Sequence, residues 1–172
     1  MDTAIVTFIP EAEHLVGAWR DRFDPAAAEG VPAHITLMAP FRPWSDFDDH
    51  ADTALRDLFA RHAAFDITFR SVHRFQLVLW LAPEPPENLA ALTRAITAQF
   101  PDCLPYLGAF PDIIPHLTIA RASTEEELTS IEREFSANTT GGLPFRAHVK
   151  SASLLRKENG RWNEQRRYLL KS

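Results

Sequence analysis

Apolar and polar residues along this chain alternate in short runs, then switch to a stripe repeating every three to four residues, and the cycle occurs twice in the same order. Period two is the mark of a strand with one buried face, and a 3.6-residue stripe that of an amphipathic helix. Residues 3–9 read as a first strand and 77–82 as its counterpart, each closed by a proline. A helix follows each. Glu11 to Phe23 places Leu15, Val16, Trp19 and Phe23 on one stripe, and Pro86 to Phe100 does the same with Leu89, Leu92, Ile96 and Phe100. A second alternating run follows in each half, then a second helix. The first of these helices covers roughly Asp48 to His62. The other opens on Ser123-Thr124-Glu125-Glu126, which resembles a capping box, and carries Leu128, Ile131 and Phe135. Alternation resumes at 65–72 and 145–152. His73 to Gln76 extends toward 77–82, and Arg161 to Leu170 forms a last strand joined to its predecessor by a hairpin turn at Lys157-Glu158-Asn159-Gly160.

The second alternating run is nearly the same phrase in both halves: His34-Ile35-Thr36-Leu37 and His116-Leu117-Thr118-Ile119, each just after a proline. The histidines are 82 residues apart. The interval from histidine to the next strand is 31 residues in one half and 29 in the other. This agreement, independent of the phrase itself, points to an internal duplication. The expected fold is α+β: a duplicated bilobal arrangement of two antiparallel sheets with outer helices around a central cleft, related by a pseudo-twofold axis. Residues 1–172 then form a single domain of two similar lobes.

Residues i and i+2 share a strand face. His34 and Thr36 therefore point one way and Ile35 and Leu37 the other, and the same holds for His116 and Thr118 against Leu117 and Ile119. Two such faces meeting across a cleft would supply a general acid, a general base and two hydroxyl donors for phosphoryl oxygens, with no metal or other cofactor. Imidazole suits both proton roles because its ordinary pKa is about 6.5. Arg121 is a candidate for binding phosphate or stacking on a base. Strict alternation places it opposite His116, so it reaches the cleft only if the strand ends or bends near Ala120.

Composition narrows the reading without redirecting it. Apolar residues make up 45% and charged residues 24%, ordinary for a globular chain, and the net charge of −5 gives no global basic field to hold nucleic acid nonspecifically. A small anionic substrate is still admissible. Cys103 is the sole cysteine, so no intramolecular disulfide can form. No apolar stretch is long enough for a bilayer, and the start lacks a basic leader, which implies a cytoplasmic protein with no membrane partner. Nothing demands more than a monomer. Of the other histidines, His14, His50 and His62 read as solvent-facing helix residues and His148 as an exposed strand residue. Trp19, Trp44 and Trp80 read as packing. Arg161, Arg166 and Arg167 with Trp162 and Tyr168 read as a charged edge strand in preference to an RNA platform.

Two copies of His-x-Thr-apolar about 80 residues apart, the second followed by Ala120-Arg121, resemble the two-histidine phosphoesterase superfamily, and within it the RNA 2′,3′-cyclic phosphodiesterases historically named 2′-5′ RNA ligases. The resemblance implies a bilobal fold and metal-free opening of a 2′,3′-cyclic phosphate, on an RNA end or a nucleotide, to a 2′-phosphate. It makes His34 and His116 the catalytic acid–base pair, with His116 the expected base and His34 the expected acid. Thr36 and Thr118 become the phosphate donors. Arg121, Phe41 and Tyr106 are the substrate-binding candidates. The alternatives are a non-catalytic nucleotide or RNA-end binding module, or 2′-5′ ligation by the same groups. The chain departs from much of the RNA-processing branch after the first motif. Met38-Ala39-Pro40-Phe41 stands where an aromatic residue and a glycine-containing turn are usual.

Overall fold

The computed structural model describes residues 2–110 and 112–172. Among the described residues, eight strands form two four-stranded antiparallel sheets. One sheet contains β1 (Thr3–Phe8), β2 (His34–Met38), β7 (Ser151–Glu158) and β8 (Arg161–Leu169), in the order β2-β1-β7-β8. The other contains β3 (Phe65–Phe75), β4 (Val78–Glu84), β5 (Leu117–Arg121) and β6 (Phe145–Val149), in the order β5-β4-β3-β6. The helices are α1 (Glu13–Phe23), the short α2 (Pro25–Ala28), α3 (Asp49–Ala60), α4 (Glu87–Gln99) and α5 (Glu125–Asn138). No helix among the described residues is long and apolar enough to cross a membrane.

The duplicated order of elements holds, but the halves do not each complete their own sheet. β3, the last strand of the first half, pairs with β4 of the second. The alternating run expected as one strand over 145–152 breaks at Lys150. Its first part pairs with β3 and its second with β1. The segments 65–69 and 145–149 lie antiparallel, Ile67 opposite Ala147, and so straddle the pseudo-twofold axis. Exchange of terminal strands lets each half bury its last apolar run against the other. His73 to Phe75 belong to β3, and the chain turns at Gln76, whose φ is +48°. The expected hairpin between β7 and β8 is present. Asn159 and Gly160 both have positive φ, the backbone of a tight two-residue hairpin turn.

Helix starts follow local chemistry. Asp48 caps α3 by accepting from the Ala51 amide at 2.8 Å. In α5 the cap lies one residue later than the sequence suggests. Thr124 accepts from the Glu127 amide at 3.1 Å, and Glu127 reaches back to the Ser123 amide at 2.6 Å. The helices also cross over: α1 of the first half packs on β5, and α4 of the second packs on β2. The inner sides of the two histidine strands supply Ile35, Leu37, Leu117 and Ile119, all essentially fully buried in one continuous core. That core holds β2 and β5 side by side.

Candidate active site

β2 and β5 are edge strands of different sheets, and the two edges come together. Their burial patterns match residue for residue. Histidine and threonine are half-buried, the residues between them are buried, and the last two apolar positions are both buried. That final pair breaks the alternation. In β2, Thr36 faces Val6 while Met38 faces Ile5, so Leu37 is an extra residue. In β5, Thr118 faces Trp80 while Ala120 faces Leu79, so Ile119 is extra. These are bulges in equivalent places, and a bulge shifts every later side chain by one face. Thr93 of α4 donates to the Leu37 carbonyl at 2.9 Å, which gives the carbonyl of the bulged residue a partner.

The bulge answers the question posed by Arg121. After Ile119 is inserted, Arg121 shares a face with Thr118 and His116. Its guanidinium acts electrostatically on both the His116 ring and the Tyr106 phenol. It is exposed and not ion-paired among the described residues. The equivalent position in the first half is Ala39, so only the second motif carries an arginine on its own strand.

Each histidine is oriented in the same way. Nδ1 of His34 lies 2.8 Å from the Pro32 carbonyl, and Nδ1 of His116 lies 2.8 Å from the Ile114 carbonyl. A carbonyl only accepts, so Nδ1 carries the proton, and Nε2 of the neutral ring keeps its lone pair for the cleft. The His34 support is the more elaborate. The buried Arg20 donates to the Val31 carbonyl at 3.0 Å and forms an ion pair with Asp24 at 2.9 Å. Glu13 accepts from the Ala33 amide, and the Ile9 amide donates to the Ala33 carbonyl at 2.8 Å. Asp24 also caps α2 through the Ala26 amide. Helix α1 and Ile9 thus fix the segment that carries the Pro32 carbonyl.

Burial pushes the His34 pKa down to about 4. The Arg20 guanidinium adds to the shift, the Pro32 carbonyl and Asp24 partly offset it, and the facing His116 lowers it slightly further. Burial also lowers His116, opposed by the Ile114 carbonyl and reinforced by Arg121. Burial raises the Tyr106 phenol, against Arg121 and the hydrogen bond to Thr36. Both imidazoles are therefore neutral near pH 7 in the free protein.

Tyr106 lies between the two motifs. Its ring stacks on His116 at 6.4 Å and 23°, its hydroxyl reaches Thr36, and its amide donates to the Ala39 carbonyl at 2.7 Å. Phe41 lies elsewhere. It is 2% exposed and packs edge-on against Phe100 at 5.1 Å, beneath Arg42. Trp80 and Phe75 are the residues that sequence reasoning missed. Their rings stand edge-on to His116 at 5.9 and 4.9 Å. The available signal was the strand pairing, because Trp80 lies directly opposite Thr118. Tyr168 is buried on Phe59 and donates to Asp52 at 2.8 Å, so it forms no stacking platform. His14, His50 and His148 are exposed, with His148 Nδ1 2.7 Å from Asp66. His62 is half-buried.

The model of the 2′-5′ RNA ligase superfamily matches residues 8–161. The chain belongs to that superfamily. No curated protein sequence matches it significantly. Among solved structures, E. coli LigT in complex with 3′-AMP is similar with a TM-score of 0.67 and 19% identity, over 99% of this chain and 98% of that one. A crystal structure described as a phosphoesterase gives 0.62 and 19%, over 99% and 98%. TT0787 of Thermus thermophilus gives 0.63 and 18%, over 100% and 99%. At these identities the likeness establishes the fold: two four-stranded antiparallel sheets with helices, in the LigT-like arrangement.

Proposed function

We propose that this member of the 2′-5′ RNA ligase superfamily hydrolyses a 2′,3′-cyclic phosphate, on an RNA end or a nucleotide, to a 2′-phosphate without a metal, as a cytoplasmic monomer. The observation that carries the reading is the matched pair of imidazoles on adjacent edge strands, each with Nδ1 tied to a carbonyl and a threonine two residues on. The neutral Nε2 of one ring takes a proton from water as its oxygen attacks phosphorus. The P–O3′ bond breaks, and the protonated Nε2 of the other ring gives its proton to O3′. Thr36, Thr118 and Arg121 hold the non-bridging oxygens as negative charge gathers there. Proton exchange with solvent restores both rings.

The electrostatics favour the reverse of the role expected from sequence. His34 is held neutral more firmly, and so suits the base. His116, with the smaller downward shift, suits the acid once an anionic phosphate sits between it and Arg121. Replacing water by a ribose 5′-hydroxyl in the same step would make a 2′-5′ bond, so ligation needs no further groups. The test is turnover of 2′,3′-cyclic nucleotides by His34→Ala and His116→Ala in the presence of EDTA. Each variant is expected to lose about 10²–10⁴-fold in kcat with unchanged circular dichroism. Full activity in either would overturn the assignment.

A further inference from the structure

Resting on that reading, we propose that the cavity between α4 and residues 104–110 and 112–115 is a subsite for the base of the substrate nucleotide, with Arg94 and Asp112 reading its polar edge. The cavity has a volume of about 420 Å³ and shares Thr36 and Tyr106 with the catalytic cleft. That is within the range of about 300–1,000 Å³ typical of small-molecule sites, which are apolar with a few placed polar groups. A phosphate held at Thr36 therefore has this cavity as its immediate neighbour.

Three further features fit a flat aromatic occupant. Of the six large hydrophobic side chains that stand exposed among the described residues, five lie in this one segment: Leu104, Tyr106, Leu107, Phe110 and Ile114. Such a concentration of exposed apolar surface marks a binding face. Tyr106 and Phe110 meet edge to face at 5.7 Å and 84°, so one ring can stack on a base while the other closes its edge. Tyr106 and Leu107 both have left-handed backbone, with φ of +51° and +58°, a costly conformation for side chains of this size that places Tyr106 between the two motifs.

The polar members are few and of opposite sign. Arg94 lies on the exposed side of α4 and Asp112 on the segment facing it. Neither is ion-paired among the described residues. A guanidinium donates and a carboxylate accepts, as the mixed edge of a purine requires. An unsubstituted alkyl group would leave both without partners.

The experiment compares kcat/KM for adenosine and guanosine 2′,3′-cyclic phosphates with ribose 2,3-cyclic phosphate, in the wild type, Ala98→Trp and Arg94→Ala. Ala98 lines the cavity from an exposed helix position, so tryptophan there fills the space without touching the core. The wild type is expected to prefer the base-bearing substrates by about tenfold or more, the scale of one base stacked on an aromatic side chain. Ala98→Trp should bring that ratio near one while its rate on the ribose substrate stays within about twofold. Arg94→Ala should alter the ratio between the two purines. A wild type indifferent to the base, or an unchanged ratio in Ala98→Trp, would overturn the subsite. If no cyclic phosphate is turned over, the parent reading fails and titration calorimetry decides the subsite alone. Adenosine 2′-phosphate binding more tightly than inorganic phosphate in the wild type but not in Ala98→Trp supports it. Equal binding of both, or no effect of the substitution, refutes it.

Discussion

Replacing His34 with asparagine should flatten the acid side of the stability profile. In the folded protein the ring is half-buried beside Arg20, and its pKa falls from 6.5 to about 4. In the unfolded chain it titrates near 6.5. Between those values the unfolded state holds one more proton than the folded state, so stability rises with pH there. The contribution is complete above 6.5 and is lost as pH falls toward about 4. At about 1.4 kcal/mol per pH unit, the shift corresponds to about 3 kcal/mol, an upper value because the ring keeps some solvent contact. Asparagine keeps a donor for the Pro32 carbonyl but does not titrate. The assay is urea unfolding of wild type and His34→Asn from pH 7 down to about pH 4. Carboxylates titrate in both proteins and cancel in the difference. The wild type should lose about 2–3 kcal/mol more than the variant over that window. Parallel profiles, differing by under about 0.5 kcal/mol, would refute the desolvated, Arg20-opposed environment assigned to His34.

Other predictions follow from the same geometry. kcat/KM on a cyclic phosphate should be bell-shaped and centred on the acid side, with its lower limb near 4 from His34 and its upper limb below the ordinary 6.5 from His116; a flat profile to pH 8 would contradict it. Arg121→Ala should reduce kcat/KM by about 10–100-fold, as loss of a charge-assisted phosphate contact implies, and leave the melting temperature unchanged. Asp24→Ala strands the buried Arg20 charge and uncaps α2, so chemical unfolding should show a loss of about 3–5 kcal/mol. Leu117→Ala empties a fully buried position beneath His116 and should cost about 2–5 kcal/mol.

How much of this was visible beforehand depends on the range of the interactions. The strands and helices declared themselves because each has one buried face, and Ile35 and Leu117 are legible as core from alternation alone. The paired histidines were legible because the phrase repeats at matched distances. The strand exchange was not, since Phe65–Phe69 and Phe145–Val149 alternate in the same way whichever sheet they join. Lys150, where one expected strand becomes two, carries no turn signal. Arg121 shows the limit most clearly. Its face depends on a bulge at Ile119, set by the pairing of β5 with β4, and two adjacent buried residues are compatible with several registers. Phe41 packs on Phe100 for the complementary reason. Proximity in sequence to His34 says little once the chain leaves β2, and an aromatic side chain buries its large apolar surface wherever a core is within reach. Trp80 was rightly read as packing, yet one of its neighbours is the His116 ring.

The most direct test of the account is product identification. The protein, with EDTA present, is incubated with a 2′,3′-cyclic nucleotide and with a short RNA ending in the same group, and the phosphate position is read by phosphorus NMR. The account predicts a 2′-phosphate from at least one of them, and none from the His34→Ala, His116→Ala double variant. Intact cyclic phosphate after prolonged incubation, or a 3′-phosphate as the sole product, would contradict it.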